Sequence, residues 1–202
     1  MPTAFLTFDD GPHQYTSTVA NMLHRKNLLA TFFVLAKPVE SGFSQLVETM
    51  AKMGHFFAVH DLANHDKFTT LPPRVLKSNI VQADQIIARV TGRPSRMVRP
   101  PYGDTNDQVK AAIREIGFVE QLWDVDSRDW DNTTTPQQFR SNILDSEPIR
   151  AGRNAVILLH DWRHGRETQF LSALEDVVDE LRRRNYGFAP LQPGDHSRED
   201  VA

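Results

Sequence analysis

Ala4-Phe5-Leu6-Thr7-Phe8-Asp9-Asp10-Gly11-Pro12 decides how the chain is read. Its apolar run is too short for a helix and lacks the alternation of a strand with one wet face. Such a run suits a strand covered on both faces, as in a parallel sheet. It ends in two carboxylates and a Gly-Pro turn. The same pattern recurs along the chain. Ala30–Ala36, His55–His60, Arg96–Arg99, Val119–Val125, Ala155–His160 and Gly187–Pro190 read as further strands.

Amphipathic segments separate these runs. Val19, Met22 and Leu23 recur at helical spacing, as do Leu46, Met50 and Met53, and later Leu171, Leu174, Val178 and Leu181. Pro72-Pro73 and Pro136 stand where helices begin. Gly54, Gly92, Gly117 and Gly187 stand where helices should end. Strand–helix alternation implies a parallel α/β sheet with right-handed crossovers. About seven strands are visible. A closed eight-stranded barrel usually takes about 250 residues, and this chain has 202. The expectation is a distorted, shortened (β/α) barrel of about seven parallel strands, with a doubly wound open sheet as the alternative. One domain should span 1–202, with a polar tail from about residue 193.

Composition narrows the function. Lys+Arg 23 against Asp+Glu 26 gives a net charge of -3, so there is no basic excess and a nucleic acid is not the expected main partner. With no cysteine, disulfides, a thiol nucleophile and thiolate metal sites are excluded. The longest apolar stretch, Leu28–Ala36, is too short to span a membrane. No signal peptide is expected ahead of the first strand in the sequence as read. The chain is therefore expected to be cytoplasmic if Met1 is the true start, and secreted or in the cell envelope if it is a trimmed mature form.

The chemistry-bearing residues cluster by position. Asp9 and Asp10 follow the first strand, and His60 ends the third. Arg99-Pro100-Pro101-Tyr102 follows the fourth. Asp124, Asp126 and Asp129 follow the fifth, and His160-Asp161 ends the sixth. Carboxyl ends of parallel strands share one rim, where active sites are built. Asp9-Asp10 could be simple turn chemistry. Two adjacent carboxylates leaving a buried strand also repel, and a cation relieves them. His60 and His65 with Asp10 would make two imidazoles and one carboxylate with open positions, the pattern of a hydrolytic zinc or similar divalent site. Arg99 could orient a nearby carboxylate and keep it ionised. The stiff Pro-Pro-Tyr-Gly loop could aim a backbone N–H at an oxyanion. His160 suits acid–base work.

These segments together resemble the NodB-homology polysaccharide deacetylases, carbohydrate esterase family 4, from about Ala4 to Leu191. Thr7-Phe8-Asp9-Asp10-Gly11-Pro12 is similar to the family's first motif and Arg99-Pro100-Pro101-Tyr102 to its third. Asp126-Ser127-Arg128-Asp129-Trp130 is similar to the fourth and Leu158-Leu159-His160 to the fifth. The resemblance implies a distorted (β/α) barrel. It implies Asp9 as catalytic base oriented by Arg99, and Asp10 with two histidines as metal ligands. It implies an oxyanion contact from the Tyr102 N–H, and His160 as general acid tuned by Asp129. Trp130 and Leu158 would wall an acetyl-sized pocket. The implied reaction is metal-dependent hydrolysis of N-acetyl groups on N-acetylglucosamine-containing polysaccharide or oligosaccharide, releasing acetate. Zinc is the expected ion, with cobalt, nickel or iron also fitting. The expected partner is the acetylated glycan.

One motif departs. The family places its ligand histidines four apart, as His-(Ser/Thr)-x-x-His. Here Asn64 stands at +4 from His60, His65 at +5, and Asp61 replaces the Ser/Thr. His65 on an irregular loop, Asn64 as a weak oxygen ligand, or a lost ligand are the three readings. The last motivates an alternative function, a catalytically weakened carbohydrate-binding protein on the same scaffold. O-acetyl xylan esterase activity is a neighbouring possibility.

Overall fold

The computed structural model describes residues 1–162 and 165–195. Most of the expected polar tail, 196–202, lies outside the described residues. The strands are β1 (Thr3–Asp9), β2 (Thr31–Leu35), β3 (Phe56–Asp61), β4 (Met97–Val98), β5 (Val119–Glu120), β6 (Val125–Asp126), β7 (Ala155–His160) and β8 (Gly187–Phe188). Every pairing is parallel. Seven strands follow the path β5-β4-β3-β2-β1-β7-β6, and β8 joins the start of β1 off that path. The helices are α1 (Thr16–Arg25), α2 (Ala36–Pro38), α3 (Ser44–Lys52), α4 (Pro73–Thr91), α5 (Asp107–Glu115), α6 (Pro136–Leu144), α7 (Glu147–Arg150) and α8 (Glu167–Arg183). The sheet curls into a shortened (β/α) barrel, as expected.

Local signals account for several boundaries. α4 and α6 open on Pro73 and Pro136, and Thr135 and Gln138 form a capping box at α6. Gly92 closes α4 at φ 81, a left-handed conformation that costs glycine little. Gly187 does not end a helix, contrary to expectation. It begins β8, and Asn185 takes the left-handed position after α8 at φ 64. A Cβ at 187 would lie 2.9 Å from the Met1 Cε, the end of an exposed and flexible side chain that can move aside.

The expected strand Val119–Val125 is two strands at opposite ends of the path. Its first half pairs with β4, and Gln121 N–H still donates to Val98 O at 2.9 Å. Its second half pairs with β7, and Asp124 N–H donates to Val156 O at 2.9 Å. Residues 121–124 therefore cross from one end of the sheet to the other. With too few strands to close a barrel, one extended segment serves both edges.

The continuous apolar runs are divided by the two-residue period of a strand. Ala4, Leu6, Phe8, Phe32, Val34, Phe57, Val59, Ile157 and Leu159 join the main core with the helices. Phe8 and Phe57 stack on Phe32 with centroids 5.1 and 5.5 Å away. The opposite set forms two smaller clusters. Phe33, Phe56, Ala58 and Met97 make one, and Phe5, Val156 and Leu191 make the other. Following that second set toward the carboxyl ends leads to Asp9, His60, Leu158 and His160. Burying each large apolar side chain of the main core contributes roughly 1.5–3 kcal/mol, which offsets the cost of a polar end inside the barrel.

His55, expected in a strand, precedes β3 and is buried. Its Nδ1 accepts from Ala30 N–H at 3.2 Å, and its ring stands edge-on to Phe32. Burial pushes the imidazole down from 6.5 to about 4. An unfolded chain therefore binds a proton that the folded chain refuses, so this site's contribution falls as pH drops from 6.5 toward 4. His55→Asn keeps an acceptor but cannot titrate. Urea unfolding across that window should show a shallower loss of stability in the variant than in wild type. Parallel pH profiles would overturn the assignment.

Candidate active site

The rim gathers the residues singled out in the sequence. A cleft of about 520 Å³ is lined by Asp9, Asp10, His60, His65, Tyr102 and His160, together with Trp123, Asp126, Trp130 and Leu158. Asp9 is the last residue of β1 and lies in register with His160 of β7. Asp10 lies past the strand end, at φ 75. A left-handed turn, rather than the alternation of a strand, gives the two carboxylates different neighbours.

Asp9 faces Arg99. The guanidinium Nη1 lies 2.7 Å from Asp9 Oδ1, and the Arg99 side chain has 0% exposure. Nη1 also donates to Thr7 Oγ1 at 2.9 Å, Nε to Gln121 O at 3.0 Å and Nη2 to Leu122 O at 3.0 Å. Its plane lies over the Phe33 ring, 3.9 Å from the centroid. Burial lowers the guanidinium below its ordinary value while Asp9 opposes the shift. Arginine nonetheless stays charged at any working pH.

Asp10, His60 and His65 form a second group. Asp10 Oδ1 is 3.2 Å from His60 Nε2 and 2.9 Å from His65 Nε2. One donor atom from each residue lies within 4.8 Å of the others. Burial pushes Asp10 up, but its polar contacts with His60 and His65 outweigh burial and hold it well below the usual carboxylate range. His60 Nδ1 donates to Arg99 O at 2.8 Å, which leaves Nε2 as the lone-pair nitrogen facing the cluster. His65 Nε2 is buried and makes no hydrogen bond of acceptable angle despite its closeness to Asp10. A small cation would satisfy these converging donors, and two imidazoles with one carboxylate suit zinc. His65, rather than exposed Asn64, therefore joins the group.

Asp129 clasps His160 twice. Its Oδ2 accepts the His160 backbone N–H at 2.8 Å, and its Oδ1 lies 2.8 Å from Nδ1. This fixes the ring and leaves His160 Nε2 toward the cleft, 3.8 Å from Asp10 Oδ2. Leu158 sits in register with Asp126. Tyr102 and Trp130 are 70% and 48% exposed, so large aromatic faces flank an open cleft. Tyr102 adopts φ 61 within the turn Pro101–Gly103, which sets the direction of its N–H.

Asp126 and Trp123 line the cleft but were not picked out as site residues. Asp126 was legible as one of three nearby acids and as the first residue of the fourth motif. Its contact with the Trp130 indole N–H at 3.1 Å belongs to the folded loop. Asp124 accepts the Val156 N–H at 2.8 Å and so ends the crossing segment. Asp161 is buried against Thr16, whose hydroxyl donates to it, and burial pushes the carboxyl up to about 7.

A charge-held carboxylate, a carboxylate-held imidazole and a three-donor cluster share the carboxyl rim of a shortened barrel. That combination suits acid–base hydrolysis. The profile of the polysaccharide deacetylase family matches residues 1–120. The chain belongs to this family, the NodB-homology deacetylases of carbohydrate esterase family 4. A peptidoglycan-N-acetylglucosamine deacetylase of Bacillus cereus is 30% identical over 202 residues, covering 96% of this chain and 70% of that protein. A bifunctional xylanase/deacetylase of Pseudobutyrivibrio xylanivorans is 31% identical over 186 residues, covering 92% of this chain. The chain spans only 29% of that protein's length. A family 4 carbohydrate esterase from Streptomyces lividans, solved in complex with acetate, has TM-score 0.81 at 30% identity, covering 93% of this chain and 92% of that one.

The donor geometry sets a clear contrast between neighbouring residues. His65→Ala should weaken zinc binding by more than about 100-fold, beyond the roughly 10–100-fold that outer-shell changes usually cause. Asn64→Ala should leave it nearly intact. Competition with a chromophoric chelator measures both, and a larger loss in Asn64→Ala would move the third donor to the amide.

Proposed function

We propose that the chain hydrolyses N-acetyl groups on N-acetylglucosamine-containing polysaccharide or oligosaccharide, releasing acetate. One observation carries the reading. The cleft holds a carboxylate fixed by a buried arginine and an imidazole fixed by a buried carboxylate, beside a three-donor cluster. A module that only bound glycan would need neither an oriented base nor an oriented acid. The name of the Bacillus cereus relative supports N-acetylglucosamine as the acetylated sugar.

Asp10, His60 and His65 would hold one divalent ion, zinc by its donor set, with cobalt, nickel or iron as substitutes. When bound, that ion supplies Lewis-acid polarisation. The remaining roles belong to the chain. Asp9, held in place by Arg99, takes a proton from the attacking water. The Tyr102 N–H donates to the oxygen that gains charge as the carbonyl carbon becomes tetrahedral. Trp130 and Leu158 wall the methyl group. His160 delivers the Nε2 proton to the departing nitrogen, and Asp129 stabilises the imidazolium until then. The carbon–nitrogen bond breaks, leaving acetate and a free amine. An amine leaves poorly unless protonated, so the acid matters as much as the base.

The direct test is acetate release from chitooligosaccharide, peptidoglycan and acetylated xylan, with chelator and after zinc is restored. Release from the N-acetylated glycans that chelator abolishes and zinc restores is expected, and activity on xylan alone would replace the amide reading with an ester one. Asp9→Asn should retain zinc yet lose roughly 10²–10⁴ in turnover. Asp10→Asn should lose zinc as well, and equal zinc loss in both would show that the adjacent carboxylates do not divide the work. His160→Ala should slow amide cleavage far more than cleavage of an activated aryl acetate, whose leaving group needs little protonation. Equal losses on both substrates would overturn the acid role.

A further inference from the structure

We propose that Asp61 is the positioning residue that brings His65 to the metal cluster across a spacing of five. The inference rests on the metal reading above and concerns how this chain builds that site. His60 lies within β3, so the segment after it is an irregular loop, and helical spacing does not decide which residue returns to the cleft. Something must make the loop double back.

Three features do so. The register of β2 and β3 passes from Val34 opposite Val59 to Leu35 opposite Asp61, so His60 occupies a bulge. Bulges re-aim side chains at barrel rims. Next, Asp61 is buried, and its carboxylate bonds back into its own loop. Oδ1 accepts the Leu62 N–H at 2.6 Å, and Oδ2 accepts the Asp66 N–H at 2.9 Å. One side chain therefore ties both ends of the segment 62–66, with Ala63, Asn64 and His65 inside the closed ring. A further bond from Lys37 N–H to Leu62 O, at 2.9 Å, anchors the near end. Within the ring Asn64 is exposed, while His65 adopts φ 55 and turns its Nε2 to 2.9 Å from Asp10.

A buried carboxylate is costly unless its lone pairs are used. Here they are spent on the two amides whose separation determines where His65 falls. A neutral hydroxyl at 61 has a shorter reach and a single oxygen, so it could not hold both ends of this longer loop. The aspartate and the extra residue therefore belong together.

The test is a double-mutant cycle on zinc affinity with the full chain, read by chelator competition. Asp61→Ala should weaken zinc about 10–100-fold, as outer-shell changes do. Asp61→Asn keeps the size but one carbonyl acceptor, and should fall between. In a His65→Ala background, Asp61→Ala should cost nothing further, because its effect passes through that histidine. In the metal-free protein, the Asp66 amide should exchange with solvent faster in Asp61→Ala. Undiminished affinity in Asp61→Ala, or losses that add across the two backgrounds, would overturn the role of Asp61 alone. A wild-type chain that binds no zinc would overturn the metal reading and this inference with it.

Discussion

Arg99 is where the architecture and the chemistry meet. A full charge with no solvent contact is tolerable only if its donors are used. Four bonds use them, to Thr7, Asp9, Gln121 and Leu122. Two of these acceptors are carbonyls of the segment that crosses between the sheet ends, where strand pairing lapses. The other two lie on the inner face of β1. The same side chain thus seals the incomplete barrel and holds the carboxylate that faces the cleft. Breaking a buried pair of this kind costs about 3–5 kcal/mol, because the orphaned charge remains inside. Phe33 beneath the guanidinium adds a cation–π contact where water is absent.

That constraint explains the asymmetry of the strands. Their helix-facing residues are apolar throughout and carry the stability. On β1, β3 and β7 the inward residues change from Phe or Val near the amino ends to Asp or His at the carboxyl ends, and Arg99 follows β4. Each ionisable group on the inner rim then acquires one partner that sets its orientation. Arg99 orients Asp9, the Arg99 carbonyl orients His60, and Asp129 orients His160. The cleft stays open between exposed Tyr102 and Trp130.

The parallel α/β class and the rim position of the functional residues were legible from one pattern. Continuous apolar runs ending in Asp, Arg and His say both that a strand is covered on two faces and which end carries chemistry. Asp9, Asp10, His60, Arg99, Asp129 and His160 could be placed on one rim because parallel strands share their direction. Val119–Val125 misled because a run of suitable composition says nothing about which neighbour it pairs with. Only closure of a sheet short of strands decides that it must serve two.

The spacing of the second histidine shows the same division. The sequence offered His60, Asn64 and His65 as the candidates, through their spacing in the second motif. It could not choose among them, because five residues of irregular loop have no fixed period. Tertiary structure brings His65 beside Asp10, through a bulge in β3, a carboxylate at Asp61 bonded to two amides, and a left-handed turn at His65. Those bonds depend on dihedral angles that only the packed loop settles. Composition and periodicity are properties of neighbours along the chain, and they determined the fold and its reactive end. The meeting of Asp10 with His65, and of Arg99 with two carbonyls of a strand that breaks, depends on distances through space.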